Sequence, residues 1–174
     1  MAMNGTLLEL SRHKTWATLR LIEYCQGLDN EQLDATIPGT YGAIRDALRR
    51  LVNAEEGYFA ILTGERLAEP LARGPIPLDE LAERIRRLGT RWEVLAQDTE
   101  LADREVTSRD GWPRSGWRMR GAAPMAQAIH DADEHRSQVL SILGARGLGA
   151  PALDVWSHAE SVGLLQAPRA PVSE

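Results

Sequence analysis

The chain has 174 residues, a formal net charge of −5 and 43% hydrophobic residues. This length suits one domain built around a single hydrophobic core. The acidic charge, together with the lack of a basic cluster in the sequence, argues against a nucleic-acid partner. Cys25 is the single cysteine, which excludes an internal disulfide, and no apolar run approaches the length of a membrane span. We therefore expect a soluble, cytoplasmic protein with neither a nucleic-acid nor a membrane partner.

Hydrophobic periodicity predicts four long helices, with connections long enough to cross or cap one end of a bundle. They cover approximately residues 6–26, 41–63, 78–97 and 122–145. Gly64 and Gly147 follow the second and fourth helices, as glycine commonly does at helix ends. Pro77 precedes the third helix, a position that proline favours because the first helical N–H has no partner.

Two further segments depart from the long-helix pattern. Val106-Thr107 and residues 117–119 flank turn residues at Arg109-Asp110-Gly111, which predicts a short hairpin or an ordered loop. A short helix is expected near the C-terminus, over about residues 153–162.

These elements together predict an all-α fold. It is a four-helix bundle with long crossover connections, a short hairpin or ordered loop before the last long helix, and a short C-terminal helix. Residues 1–150 are expected to form the bundle. Residues 151–174 are expected to form a tail whose short helix packs on it.

The predicted second helix carries two polar residues at unusual positions. Glu55 belongs to the stripe that should face the core, with Ile44, Leu48, Leu51, Tyr58 and Leu62. Its carboxylate therefore needs a hydrogen-bond donor. We favour a structural hydrogen bond inside the bundle, and a position at the rim of a binding site is the alternative. Arg50 lies on a face of small residues that should pack closely. Its guanidinium needs a carboxylate partner there or must extend to solvent, and the sequence leaves both open.

The predicted fourth helix contains a dense polar cluster over residues 129–141. A helix turns about 100° per residue, so His130 and His135 lie roughly 140° apart and cannot readily bind one ion together. Asp131 and His135 are four apart, the spacing of paired ligands on a helix. His135 falls within the apolar stripe, so we expect His135 and Asp131 to point inward and His130 outward. A hydrogen-bonded core histidine remains the more common alternative to a metal ligand.

Three segments resemble DinB-like proteins, which include YfiT-type metal-dependent hydrolases and thiol-dependent S-transferases. Residues 13–21 are similar to the family's Trp-Ala-Asn-x-Arg-Leu region, and residues 48–55 to its Leu-x-His-Leu-x-x-Ala-Glu segment. Residues 134–139 are similar to its His-His-Arg-Gly-Gln signature. The resemblance implies a four-helix bundle with a metal ion held by three histidines. Carried over by position, these ligands fall on Arg50, Asp131 and His135, so the triad is incomplete.

This substitution pattern predicts a modified site. Arginine cannot bind a cation, and zinc sites usually have three or four protein ligands. Because Arg50 and Asp131 carry opposite charges, we predict that they form a salt bridge, with His135 nearby, in place of the metal. No cofactor is then expected, and a divalent metal ion, zinc or nickel, held by His135 and Asp131 is the alternative.

Three functions follow as hypotheses. The favoured one is a metal-free protein that binds a small molecule in the bundle, with Arg50, Asp131 and Glu55 as binding residues and His135 as a general base. The second is an active metal-dependent hydrolase or thiol S-transferase, and the third is a structural or stress-associated protein without catalysis. The resemblance also implies a homodimer.

Aromatic residues outside the bundle offer weaker signals. Trp112 to Trp117 could form a partner surface, although capping of the bundle end is the expected role. Trp156 and His158 in the tail could cover the mouth of the site, and local packing is the interpretation that we favour.

Overall fold

A computed structural model describes residues 5–65, 71, 74, 76–108 and 116–165. Within these residues the chain forms six helices and a two-stranded sheet, in the order α1 (Gly5–Gln26), α2 (Asn30–Leu33), α3 (Ile44–Thr63), α4 (Leu78–Gln97), β1 (Glu105–Thr107), β2 (Arg118–Arg120), α5 (Ala122–Ala145) and α6 (Val155–Ser161). The four long helices form the predicted all-α bundle, and the short C-terminal helix is also present.

Helix boundaries follow the local signals in the sequence closely. Gly64 ends α3 in the left-handed region, with φ of 72°, and its N–H donates to the carbonyl of Ala60 at 2.8 Å. The start of α3 lies three residues later than predicted, because Gly42 has φ of 122°, which a right-handed helix does not allow. The structure also contains α2, a single turn that the sequence pattern does not predict, closed by a capping box between Asp29 and Gln32.

The bundle consists of two closely packed helix pairs, α1 with α4 and α3 with α5. The α1–α4 contact is tight at Gly89, where an added Cβ would lie 2.5 Å from a methyl carbon of Thr15. The core stripe predicted for α3 is buried along its whole length, including Glu55. Apolar side chains of α1, α3, α4 and α5 meet in the main core cluster. A second apolar cluster, which includes Tyr58, Phe59 and Trp92, fills another part of the interior between the helix pairs.

The segment before α5 forms the predicted hairpin. Its strands pair antiparallel, with Val106 opposite Met119. Val106 is buried, and so is Leu101 in the turn before it, so this hairpin covers one end of the bundle. The predicted turn at residues 109–111 lies outside the described residues.

The C-terminal helix α6 packs chiefly on α1. Asp154 caps its first turn by accepting from the N–H of Ser157 at 3.0 Å. The division of the chain at residue 150 stays a prediction. None of the described helices has the length and apolarity needed to span a bilayer.

Candidate functional site

The polar cluster on α5 divides as the helical angles predict. Asp131 and His135 are largely covered, with side-chain exposures of 19% and 13%, and Asp131 Oδ2 lies 3.6 Å from His135 Nε2. His130 points to solvent, with 72% of its side chain exposed, beside Glu134 at 4.0 Å. The inward direction of Asp131 and His135 and the outward direction of His130 are therefore confirmed.

Burial shifts both members of the Asp131–His135 pair toward their neutral forms. Desolvation raises the pKa of Asp131, and the nearby imidazole of His135 partly opposes this rise. Desolvation also lowers the pKa of His135, against the opposing carboxylate of Asp131. His135 is consequently neutral at pH 7, with one ring nitrogen able to accept a proton. Its Nδ1 is buried and has no hydrogen-bond partner among the described residues.

Arg50 takes a different partner from the one predicted. It is exposed and donates from Nη1 to the main-chain carbonyl of Tyr41. Within the described part of the chain, no ion pair of 4.0 Å or less joins Arg50 to Asp131, whose ion-pair partner is His135. The reason is the late start of α3, which leaves the Tyr41 carbonyl in the turn before the helix, within reach of Arg50. The guanidinium still acts on the site, because its charge contributes to lowering the pKa of His135.

Glu55 obtains its donor from a residue that the sequence analysis missed. Lys14 on α1 donates from Nζ to Glu55 Oε2, and the two side chains are only 1% and 4% exposed. The Lys14 ammonium also lies 4.4 Å from the centre of the Trp92 ring, a cation–π distance. The sequence contains a signal for the burial of Lys14. The helical 3-4-3 spacing places it on one face with Ser11, Thr18 and Leu21, and all four are buried.

Arg136 is the second buried cation that the sequence analysis missed. Its Nη1 donates to Thr18 Oγ1 at 3.1 Å and to the carbonyl of Lys14 at 3.3 Å, which ties α5 to α1. Its Nη2 reaches Asp133 at 3.4 Å. Desolvation lowers the pKa of Arg136, with Asp133 and Glu55 opposing it. Glu55 thus lies between buried cations from two other helices, and its second oxygen, Oε1, has no hydrogen-bond partner within the described residues.

Tyr58 brings a hydroxyl close to the Asp131 side of the site. Burial raises its pKa, and the charge of Asp131 raises it further. The phenol therefore stays protonated at any physiological pH, and it hydrogen-bonds to Gln127 on α5. Tyr58 can act there as a hydrogen-bonding group and not as a base.

These residues do not fit a three-histidine metal centre. The position that should supply the α3 ligand is Arg50, a permanent cation without a lone pair to donate. His135 and Asp131 supply two ligands at most, fewer than structural or catalytic zinc sites use. Across the described ranges, no group of three or more His, Cys, Asp or Glu side chains is arranged to hold a metal ion.

The remaining predicted features lie elsewhere. Trp156 is 71% exposed, and His158 packs locally against α1. Trp117 is 51% exposed, whereas Trp112 falls outside the described residues. A cavity of about 630 Å³ lies near α2 and shares no residue with the predicted site; it is lined by Asp29, Glu31, Gln32, Asp34, Ala35, Arg146 and Leu148.

Comparison with known proteins agrees with this fold. The DinB family model matches residues 3–169, so the chain belongs to the DinB family. The crystal structure of a DinB-like protein from Bacillus cereus ATCC 10987 is similar, with a TM-score of 0.66 and 16% sequence identity. The match covers 87% of this chain and 99% of that protein, and at this identity it shows a shared fold. Among curated proteins, no match was found.

Proposed function

We propose that this DinB-family protein binds a small acidic molecule, a carboxylate or a thiol, at the α3–α5 face without a metal centre. The observation that carries the proposal is the Asp131–His135 pair, held at 3.6 Å, with the buried His135 Nδ1 lacking a hydrogen-bond partner in the described structure. A buried polar atom left unsatisfied costs about 1–3 kcal/mol, so a ligand group that reaches Nδ1 regains that free energy.

His135 is the proton acceptor in this proposal. The carboxylate of Asp131 faces Nε2 and favours the tautomer that carries its proton there. Nδ1 then holds the lone pair and accepts a hydrogen bond from the S–H of a thiol ligand, whereas a carboxylate, which is ionised at pH 7, binds through Arg50. Because burial lowers the pKa of His135, the imidazole is already neutral at pH 7 and available as a base.

Arg50 supplies the attraction for the anionic group. Its guanidinium is exposed and uses one N–H on the Tyr41 carbonyl, which leaves other N–H donors for an oxyanion. Glu55 lies in the core on the same helix as Arg50, and the positive charge of Lys14 balances its negative charge there. The predicted salt bridge between Arg50 and Asp131 is not needed for this function.

A nuclear magnetic resonance titration tests the proposal. Propionate and 3-mercaptopropionate are added to full-length protein while the ¹⁵N shifts of the His135 ring are followed. We expect a saturable shift, with affinity weakened roughly three- to tenfold in Arg50→Gln, because an exposed charge-assisted hydrogen bond is lost. Arg86→Gln is the matched control, since Arg86 is 60% exposed and belongs to α4. No saturable shift with either probe, or equal affinity in Arg50→Gln, would refute the proposal.

The metal-dependent hydrolase or S-transferase is the second candidate, because Asp131 and His135 retain the spacing of paired helical ligands. Calorimetric titration with Zn²⁺ or Ni²⁺ separates the two candidates. We expect no stoichiometric binding by the natural chain and a gain of binding in Arg50→His/Asp131→His. Stoichiometric zinc in the natural protein that is lost in His135→Ala would favour the metal-dependent candidate.

A further inference from the structure

A cluster of three rings joins the C-terminal helix to the bundle, away from the α5 site. The ring centre of His158 lies 5.2 Å from that of Trp16 and 5.9 Å from that of His13. His13 Nε2 also donates to the carbonyl of Leu153 at 2.7 Å, just before α6. Two histidines and one tryptophan therefore take part in the attachment between α1 and the segment that carries α6.

His158 is the buried member of this cluster. It is 4% exposed, although most of its own helix faces solvent. Burial lowers its pKa, and the neighbouring His13 lowers it further. A protonated His158 would lie in an apolar contact with Trp16, beside a second imidazole, which is an unfavourable place for a cation.

Other charged groups around His158 do not cancel this effect. From α1, Glu9 favours its charged form and Arg12 disfavours it, and these two side chains pair with each other at 2.7 Å. On its own segment, Asp154 is bound to Ser157 as the helix cap, and Glu160 is exposed. Desolvation of the imidazole is therefore the largest influence on the pKa of His158.

We propose that His13, Trp16 and His158 form a pH-sensitive latch that holds α6 on α1 at neutral pH and releases it in acid. The direction of this pH effect follows from proton binding. The docked imidazole of His158 takes up a proton less readily than a free one, so acidification favours the undocked form. Docking is fully favourable above the ordinary histidine pKa of about 6.5, and it weakens as pH falls through the lowered pKa of docked His158. One proton changes the docking equilibrium by at most about tenfold per pH unit.

Fluorine NMR of full-length protein labelled with 5-fluorotryptophan tests the latch. Each of the five tryptophans gives one resonance, and Trp16→Phe assigns the signal of Trp16. Between pH 7.5 and pH 5 we expect the Trp16 resonance to move to a solvent-exposed position, with a midpoint below 6.5. Trp92 is 1% exposed in the core, so its unchanged resonance shows that the bundle stays folded.

Variants make the test specific to His158. His158→Phe keeps an aromatic ring against Trp16 but cannot be protonated, so its Trp16 resonance should not respond to pH. His130→Gln is the control, because His130 is exposed on α5. In this variant the Trp16 resonance should change with pH as it does in the natural chain. The ¹⁵N titration of His158 in the natural chain provides a second measurement that does not depend on how well Phe fits.

Three results would overturn the latch. One is a Trp16 transition in His158→Phe with the same midpoint as in the natural chain. Another is a His158 titration whose midpoint differs from that of Trp16. The third is a Trp16 resonance that does not change down to pH 5.

Discussion

The buried pair of Lys14 and Glu55 gives the sharpest prediction about stability. Lys14→Met removes the ammonium but keeps a chain of similar length, and leaves Glu55 in a site where its side chain is 4% exposed. Breaking a buried ion pair from one side costs about 3–5 kcal/mol, because the remaining charge is desolvated without compensation. Arg136, which also acts on Glu55, limits this loss, so we expect about 3 kcal/mol.

Urea denaturation followed by circular dichroism measures this loss of unfolding free energy. The double variant Lys14→Met/Glu55→Leu removes both charges, and it should recover most of the stability, because apolar replacements of buried pairs are often neutral or stabilising. A loss below about 1 kcal/mol in Lys14→Met would refute our account of the pair. So would a double variant that is less stable than the single one.

Three further predictions follow from other parts of the structure. Asp131→Asn should lower the pKa of His135 further, because the carboxylate that favours its charged form is lost; a raised or unchanged pKa in ¹⁵N NMR would contradict the pair. Gly89→Ala should destabilise the bundle by about 1–3 kcal/mol in thermal denaturation, because its Cβ would lie 2.5 Å from a β-branched side chain of α1. Gly144→Ala on α5 is the matched control, with open space around its Cβ, and it should be neutral or stabilising by up to about 1 kcal/mol. Burial raises the pKa of Cys25 to about 12, so its thiol should react with iodoacetamide at pH 8 only after unfolding; rapid reaction of the folded protein would show that the core around it opens.

Much of the fold was predictable because its signals are local. The third and fourth long helices have the bounds that the sequence predicts, since proline and glycine mark their ends and apolar residues recur with helical spacing. The same periodicity placed Glu55 inward and His130 outward. The single turn α2 was missed, because four residues carry too little periodicity to reveal a helix.

The candidate site was predictable only in part. The sequence singled out Asp131 and His135 as an inward pair at helical spacing, and their contact is present. It did not identify the partner of Arg50, because opposite charges at two positions on different helices do not determine how far apart their atoms lie. The side chain instead reaches the carbonyl of Tyr41, an acceptor whose position depends on where α3 begins.

The sequence by itself determined where the four long helices lie, which stripe of α3 faces the core, and that Glu55 must find a donor inside the bundle. These properties depend on the geometry of one helix and on the cost of burying a polar group. Only the tertiary structure decided that this donor is Lys14 and that His158 meets His13 and Trp16. Such pairings join residues far apart in the chain, and they depend on how helices are rotated and shifted against each other, which no local pattern specifies.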